Sequence, residues 1–119
     1  MKILIADDSE LLRKRLRKII LLLSDRIEIK QAATCKEAVS TLQAFNPDVA
    51  ILDISFPDES GIKVLQKIKK EMPRVVVIML TNYPTDEFKK NCLEYGADHF
   101  FDKSKDFRKI PIILRDLLN

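Results

Sequence analysis

The feature that most constrains the fold is a short apolar run at residues 49–52, Val-Ala-Ile-Leu, which ends directly at Asp53. Turn signals enclose this run, with Asn46-Pro47 before it and a proline-to-glycine turn at residues 57–61 after it. An apolar run of this length is typical of a strand buried on both faces, as in a parallel sheet covered by helices. Such sheets bind ligands outside the carboxyl ends of their strands, so Asp53 is predicted to lie at a functional position.

Strand and helix patterns alternate along the whole chain. This alternation predicts an α/β fold, a three-layer α/β/α sandwich with a five-stranded parallel sheet and five helices. We expect one domain at residues 1–119, since this length suits a single core. The predicted strands cover residues 2–6, 27–33, 49–53, 75–80 and 97–102, and the predicted helices cover about residues 10–23, 35–44, 61–72, 86–95 and 106–118.

Several helix ends carry recognisable signals. Ser9 and Thr34 precede helical patterns and are predicted N-caps, and Gly96 is predicted to end the fourth helix in a left-handed conformation. Pro111 would fall in the second turn of the last helix, so we expect that helix to start later, toward Ile110, or to be kinked.

Composition excludes several classes of protein. Hydrophobic residues make up 46% of the chain, which is enough to form a core without metal or disulfide links. Cys35 and Cys92 have no partner at ligand spacing, which favours reduced thiols over a disulfide or a zinc site. No apolar run resembles a signal peptide or a membrane span, so a cytoplasmic protein without membrane contact is expected. The net charge of +3 comes without interleaved aromatic residues, so direct nucleic acid binding is not expected.

Charged and polar residues stand at four of the strand ends. These residues are Asp7, Asp8, Asp53, Thr81 and Lys103. Strand ends of a parallel sheet meet at one edge, so three carboxylates would lie close together with one lysine, and their repulsion requires compensation. A divalent cation with oxygen ligands provides it, and Mg²⁺ suits such a site.

The same residues suit phosphoryl transfer. A cation neutralises charge on a phosphoryl group, Thr81 can donate a hydrogen bond to one phosphoryl oxygen, and Lys103 can pair with another. Asp53 is central and carboxylates form acyl phosphates, which makes Asp53 the best candidate for the nucleophile.

This pattern resembles the receiver domain of two-component response regulators. The resemblance rests on Asp7-Asp8, Asp53, Pro57, Gly61, Thr81 and Lys103, in that order and spacing, and it covers the whole chain. It implies a flavodoxin-like sheet with strand order 2-1-3-4-5. It also implies a signalling domain and not an enzyme, apart from its own phosphorylation and slow dephosphorylation.

The resemblance implies roles for individual residues. Asp53 would accept a phosphoryl group from a histidine kinase or phosphotransfer protein, while Thr81 and Lys103 would bind the phosphoryl oxygens. Asp8, Asp53 and the Ser55 backbone carbonyl would hold Mg²⁺, with Asp7 acting through water. Thr81 and Phe100 would form a conformational switch that presents a changed surface to a downstream effector or to a second copy in a phosphorylation-dependent homodimer.

The chain departs from the family pattern at three positions. Ser104 follows Lys103 where many members have proline, and a cis bond without proline costs about 2.5 to 4 kcal/mol, so a trans bond is predicted. Asn82 is larger than the residue usual beside Thr81 and narrows access to the site. Phe100 has no hydroxyl group for a hydrogen bond in the inward state.

Three functions are compatible with these residues. The first is a stand-alone phosphorylated receiver, expected because no output domain follows Asn119 in the sequence. The second is a non-phosphorylated interaction module on the same fold, favoured by Asn82 and Phe100. The third is a phosphatase of the haloacid dehalogenase type, which ranks last because Ser55 stands where that class has a second acid.

The first helix carries a further ambiguous strip. Its members are Leu11, Arg15, Lys18 and Leu22, which flank the apolar face of the helix. The strip fits either the edge of the core beside a solvated basic face, or a docking surface for a partner such as the kinase.

Overall fold

Five short apolar segments form a single parallel sheet in the computed structural model, which describes all of residues 1–119. The strands are β1 (Lys2–Ala6), β2 (Glu28–Ala32), β3 (Val49–Leu52), β4 (Val76–Thr81) and β5 (His99–Asp102). The helices are α1 (Glu10–Leu21), α2 (Cys35–Phe45), α3 (Gly61–Glu71), α4 (Asp86–Glu94) and α5 (Lys109–Leu118). The sheet order is β2-β1-β3-β4-β5, which confirms the predicted flavodoxin-like topology.

Both faces of the sheet are covered by helices. On one face, alternate residues of the central strands pack against α2, α3 and α4 in a cluster of 17 buried residues. On the other face, the intervening residues pack against α1 and α5 in a cluster of 12. All four residues of β3 are buried, as expected for a strand that has no solvated face.

The predicted helix caps are present. The Ser9 and Thr34 hydroxyl oxygens accept hydrogen bonds from the amides of Leu12 and Glu37, at 3.2 and 3.1 Å. Gly96 follows α4 with a φ of +96°, a conformation that a side chain would strain. Ser9 and Thr34 begin their helices at the sheet edge that carries the site, whereas Gly96 ends α4 at the opposite edge, just before β5.

Some boundaries differ from the prediction. Helix α1 ends at Leu21, two residues early, and β5 begins at His99 and not at residue 97. The second difference arises because the Ala97 amide still bonds to the Cys92 carbonyl at the end of α4, at 2.9 Å. Helix α5 starts at Lys109, so Pro111 falls in its first turn, where a missing amide hydrogen removes no helical hydrogen bond.

Two further expectations have a structural outcome. The chain contains no cis peptide bond, so the bond between Lys103 and Ser104 is trans, as predicted. None of the helices has the length and apolar character needed to cross a membrane.

Candidate functional site

The sheet fixes the backbone of the site residues just beyond the last regular strand pairs. The Asp7 amide donates to the Ala32 carbonyl at 3.0 Å, and the Asp53 amide donates to the Ala6 carbonyl at 2.9 Å. The Lys103 amide likewise donates to the Thr81 carbonyl at 2.9 Å. Each residue therefore leaves the sheet in a fixed direction, and the parallel arrangement brings their side chains to one edge.

Lys103 bridges two carboxylates at this edge. Its Nζ atom lies 2.6 Å from Asp7 Oδ2 and 3.1 Å from Asp53 Oδ2. The three side chains are nearly inaccessible to water, with 9% of Lys103, 3% of Asp7 and 7% of Asp53 exposed. Charge is thus concentrated where solvent screens it weakly.

The carboxylates outnumber the cation. Asp7, Asp8 and Asp53 each offer an oxygen atom within 4.8 Å of the others, and Lys103 supplies the positive charge among them. Asp7 Oδ2 has the Lys103 ammonium group as its contact, so the carboxylate oxygens that remain around the cluster have no second cation. A cluster of oxygen donors with excess negative charge fits a hard divalent cation.

The electrostatic environment shifts the pKa values of the central pair. Burial raises the pKa of Asp53, the charge of Asp7 raises it further, and Lys103 offsets only part of the shift. Burial alone would lower the pKa of Lys103, but its contacts with Asp7 and Asp53 outweigh that effect and raise it. The site thus favours an additional positive charge.

The loop after β3, residues 54–60, orients Asp53. The amides of Ile54 and Ser55 donate to Asp53 Oδ1 at 2.7 and 3.4 Å, while Lys103 holds the other oxygen. Where α3 begins, a Cβ atom on Gly61 would lie 1.8 Å from the Asp53 carbonyl oxygen, so glycine is required there. The Ser55 carbonyl takes part in none of the backbone hydrogen bonds of this loop, and its oxygen is free to bind a ligand.

The two predicted switch residues lie on neighbouring strands. Thr81 is buried at the end of β4, and its hydroxyl oxygen accepts a hydrogen bond from the Tyr83 amide at 3.0 Å. Phe100 pairs with Met79 in the sheet and packs, half buried, against the cluster beneath α2, α3 and α4. Asn82 is exposed and lines a cleft that also contains Lys103.

Three acidic or basic contacts around the site were not predicted from the sequence. Arg13 of α1 donates from Nη1 to the Asp7 carbonyl at 2.6 Å. Asp102 Oδ1 accepts from both the amide and the hydroxyl of Ser104, at 2.8 and 2.7 Å, and this turn encloses Lys103. Asp58 reaches the start of α2. The sequence carries no spacing signal for the contacts of Arg13 and Asp58, whereas the aspartate two residues before Ser104 is a local turn signal.

The family model for the response regulator receiver domain matches residues 3–115. The chain belongs to this family. Receiver domains are signalling domains of response regulators, typical of two-component systems, and are not enzymes in the usual sense.

The response regulator protein VraR of Staphylococcus aureus is 28% identical to this receiver domain over 114 residues. The match covers 96% of this chain and 54% of VraR. The chain therefore spans about half the length of the curated relatives that it matches.

Solved structures of other receiver domains share the fold. A CheY-like receiver domain protein from Methanospirillum hungatei JF-1 superposes with a TM-score of 0.89 at 28% identity, over 98% of this chain and 92% of that chain. The signal receiver domain of a DNA-binding response regulator from Colwellia psychrerythraea 34H superposes with a TM-score of 0.93 at 25% identity, over 99% and 98% of the two chains.

Proposed function

We propose that this receiver domain, formed by the whole of residues 1–119, accepts a phosphoryl group on Asp53 in a Mg²⁺-dependent reaction. The observation that carries the proposal is the buried Asp53 carboxylate, held by Lys103 within a cluster of carboxylates. The donor would be a phosphohistidine of a histidine kinase or phosphotransfer protein. The carboxylate would form an oxygen–phosphorus bond while the nitrogen–phosphorus bond of the donor breaks.

The residues of the site have distinct tasks in this reaction. Two loop amides hold one Asp53 oxygen, and Lys103 holds the other until it pairs with the incoming phosphoryl group. Thr81 would exchange its hydrogen bond with the Tyr83 amide for one that its hydroxyl donates to a phosphoryl oxygen. These donors are arranged before the reaction, which lowers the cost of stabilising the charge that develops on the phosphoryl oxygens.

The donor set of the site fits magnesium. Asp7, Asp8, Asp53 and the Ser55 carbonyl would hold the ion, and all four supply oxygen, the ligand type that Mg²⁺ prefers. The excess of carboxylates over the single lysine supports this assignment. When bound, Mg²⁺ supplies neutralisation of the negative charge on the transferred phosphoryl group.

The proposed output is a change in surface shape. Movement of Thr81 toward the phosphoryl group would open space that Phe100 fills by turning inward, since the two residues lie on neighbouring strands. The surface of α4, β5 and α5 would change with it and be read by an effector protein or by a second phosphorylated copy. Gel filtration with and without a phosphate mimic measures the second outcome.

The test is phosphorylation by a small acyl phosphate in the presence of Mg²⁺. Intact-protein mass spectrometry should show one added phosphate on the wild type and none on Asp53→Asn. No adduct should form when EDTA removes the metal before the acyl phosphate is added. A wild-type chain that gains no mass, while its circular dichroism shows it to be folded, would overturn the proposal.

A second function is favoured by the position of Asn82. This side chain lines the cleft that also contains Lys103, and there it would narrow the approach of a donor. A receiver closed in this way would bind its partner without phosphorylation, and its binding would be the same in the wild type and in Asp53→Asn. Asn82→Ala discriminates the two functions, since it should speed phosphorylation only if the cleft is the route of the donor.

A further inference from the structure

The amino end of α2 is capped twice, from two distant parts of the chain. Thr34 caps it locally by accepting from the Glu37 amide, and the Glu37 carboxylate accepts from the Ala33 amide at 3.3 Å. Asp58 caps it from outside, accepting from the amides of Cys35 and Lys36 at 3.0 and 3.1 Å. The first amides of a helix need such partners, so the two caps are complementary.

Asp58 belongs to the loop that carries Ser55. Inside this loop, Ser55 pairs with Ser60, and the Phe56 amide donates to the Glu59 carbonyl at 3.3 Å. A third tie to α2 comes from the buried Cys35 thiol, which donates to the Glu59 carbonyl at 3.4 Å. Asp58 and Glu59 therefore attach the second half of the loop to α2, while the first half follows directly from Asp53.

We propose that Asp58 is a positioning residue for the metal site, because it docks the loop on α2 and so fixes the Ser55 carbonyl beside the acidic cluster. This inference rests on the proposed Mg²⁺ site. The position of Ser55 depends on the docking, since its own amide contact with Asp53 Oδ1 is long, at 3.4 Å. A carboxylate at a helix amino end is also favoured by the helix dipole, which strengthens the contact.

Asp58 differs from the local cap in what it joins. Thr34 accepts from the Glu37 amide and Glu37 accepts from the Ala33 amide, so both contacts stay within the start of α2. The two carboxylate bonds from Asp58 join segments 22 and 23 positions apart, and their geometric effect falls on the loop. Groups that orient metal ligands in this way typically change metal affinity 10- to 100-fold when removed.

The test compares the Mg²⁺ affinity of four proteins by isothermal calorimetry: the wild type, Asp58→Ala, Asp58→Asn and Thr34→Ala. We expect Asp58→Ala to weaken binding about tenfold or more, and Asp58→Asn to weaken it less because the amide oxygen keeps one acceptor. Thr34→Ala removes a cap from the same helix but leaves the loop contact, so its affinity should stay within about twofold of the wild type.

A second readout follows the contact itself. In wild-type protein, Mg²⁺ titration should shift the NMR amide signals of Cys35 and Lys36 with the same midpoint as that of Ser55, and in Asp58→Ala this coupling should vanish. Wild-type affinity in Asp58→Ala, or an equal loss in Thr34→Ala, would overturn the inference while leaving the proposed function intact. Absence of Mg²⁺ binding by the wild type would overturn both. If Asp58→Ala does not fold, Asp58→Asn provides the same comparison.

Discussion

Lys103 is the single cation that pairs with two buried carboxylates, those of Asp7 and Asp53. Removing the lysine would leave both negative charges buried, where water solvates them poorly. Breaking a buried ion pair in this way typically costs 3 to 5 kcal/mol, far more than loss of a surface pair. The positive charge is therefore structural as well as functional.

Replacing Lys103 with methionine should lower the free energy of unfolding by about 3 kcal/mol at pH 7 in the absence of metal. The deficit should shrink as pH falls, because the pKa of Asp53 is already raised and its protonation removes the repulsion. Urea denaturation between pH 7 and pH 4 measures both effects. The exposed Lys105→Met is the matched control and should change stability by less than about 0.5 kcal/mol. Equal losses in the two variants would contradict the argument.

The contribution of Asp58 to stability should depend on pH as well: it weakens as the pH falls. The hydrogen bonds from the Cys35 and Lys36 amides lower the pKa of its carboxyl group. A carboxyl group whose pKa is lowered by folding stabilises the folded state at every pH above its unfolded-state pKa. That contribution to stability is lost as the pH falls through the folded-state pKa. The stability difference between wild type and Asp58→Asn should thus be constant at neutral pH and narrow below about pH 4. Thermal unfolding over that range would refute this if the difference stayed constant.

The sequence predicted which residues follow the strand ends at the site, but it did not predict the residues whose hydrogen bonds hold those segments in place. Asp7, Asp53, Thr81 and Lys103 could be placed together because a parallel sheet brings its carboxyl ends to one edge. Arg13 and Asp58 could not, because their contacts depend on the path of a loop and on how a helix is rotated about its axis.

Among the elements, the start of α3 is the most tightly constrained. The Gly61 amide donates to the Ile54 carbonyl at 2.6 Å, and the helix begins against the Asp53 backbone with no room for a side chain. This close approach sets the length of the loop that orients Asp53. The helix and the carboxylate therefore cannot move independently.

Gly61→Ala should lower the free energy of unfolding by about 3 kcal/mol, since its Cβ would collide with backbone. The shift should also slow phosphorylation by a small acyl phosphate at least tenfold. Gly96→Ala is the control, because its cost comes from a positive φ and its Cβ meets only the flexible Lys69 side chain, so about 1 to 2 kcal/mol is expected. Stopped-flow phosphorylation should be unchanged in Gly96→Ala, and a similar slowing there would show that general destabilisation is the cause.

Elements were predictable where one signal dominated. Strand β3 and the caps at Ser9 and Thr34 were placed correctly because apolar runs and capping residues act locally. The end of α1 and the start of β5 were misplaced because hydrogen bonds at the helix ends decide them, namely those of the Leu22 and Ala97 amides, and apolar pattern does not report these bonds. Leu22 and Leu23 continue the apolar pattern of α1, yet Leu22 is 81% exposed and only caps the helix.

Across the whole molecule, charge is segregated. Residues 9–26 and 103–119, which contain α1 and α5, hold 11 basic and 4 acidic residues. The rest of the chain holds 10 basic and 14 acidic residues. Leu11 of α1 and its C-cap Leu22 are exposed, at 69% and 81%, on either side of Arg15 and Lys18. Arg15 also stacks on the Phe107 ring at 4.9 Å, beside the core under α5. The strip is thus basic, apolar and accessible, which suits a docking surface as well as a solvated core edge.

If the kinase docks on this strip, Arg15→Glu combined with Leu22→Glu should slow phosphotransfer from a kinase about tenfold or more. Phosphorylation by a small acyl phosphate should slow much less, because that donor makes no contact with Leu22 and meets only Arg15, which lines the cleft that contains Lys103. Lys90→Glu with Leu93→Glu on α4 makes the same chemical changes at exposed positions elsewhere and should leave both rates unchanged. Comparable slowing in the two double variants would exclude a specific role for α1.

The order of the site residues along the chain has a consequence for synthesis on the ribosome. All three carboxylates are translated before β4 and β5, and the lysine that partly compensates them follows β5. If β1 and β3 pair before β5 leaves the ribosome, the carboxylates meet without Lys103. A divalent cation would then offset their repulsion, so the proposed metal site would also assist folding during translation.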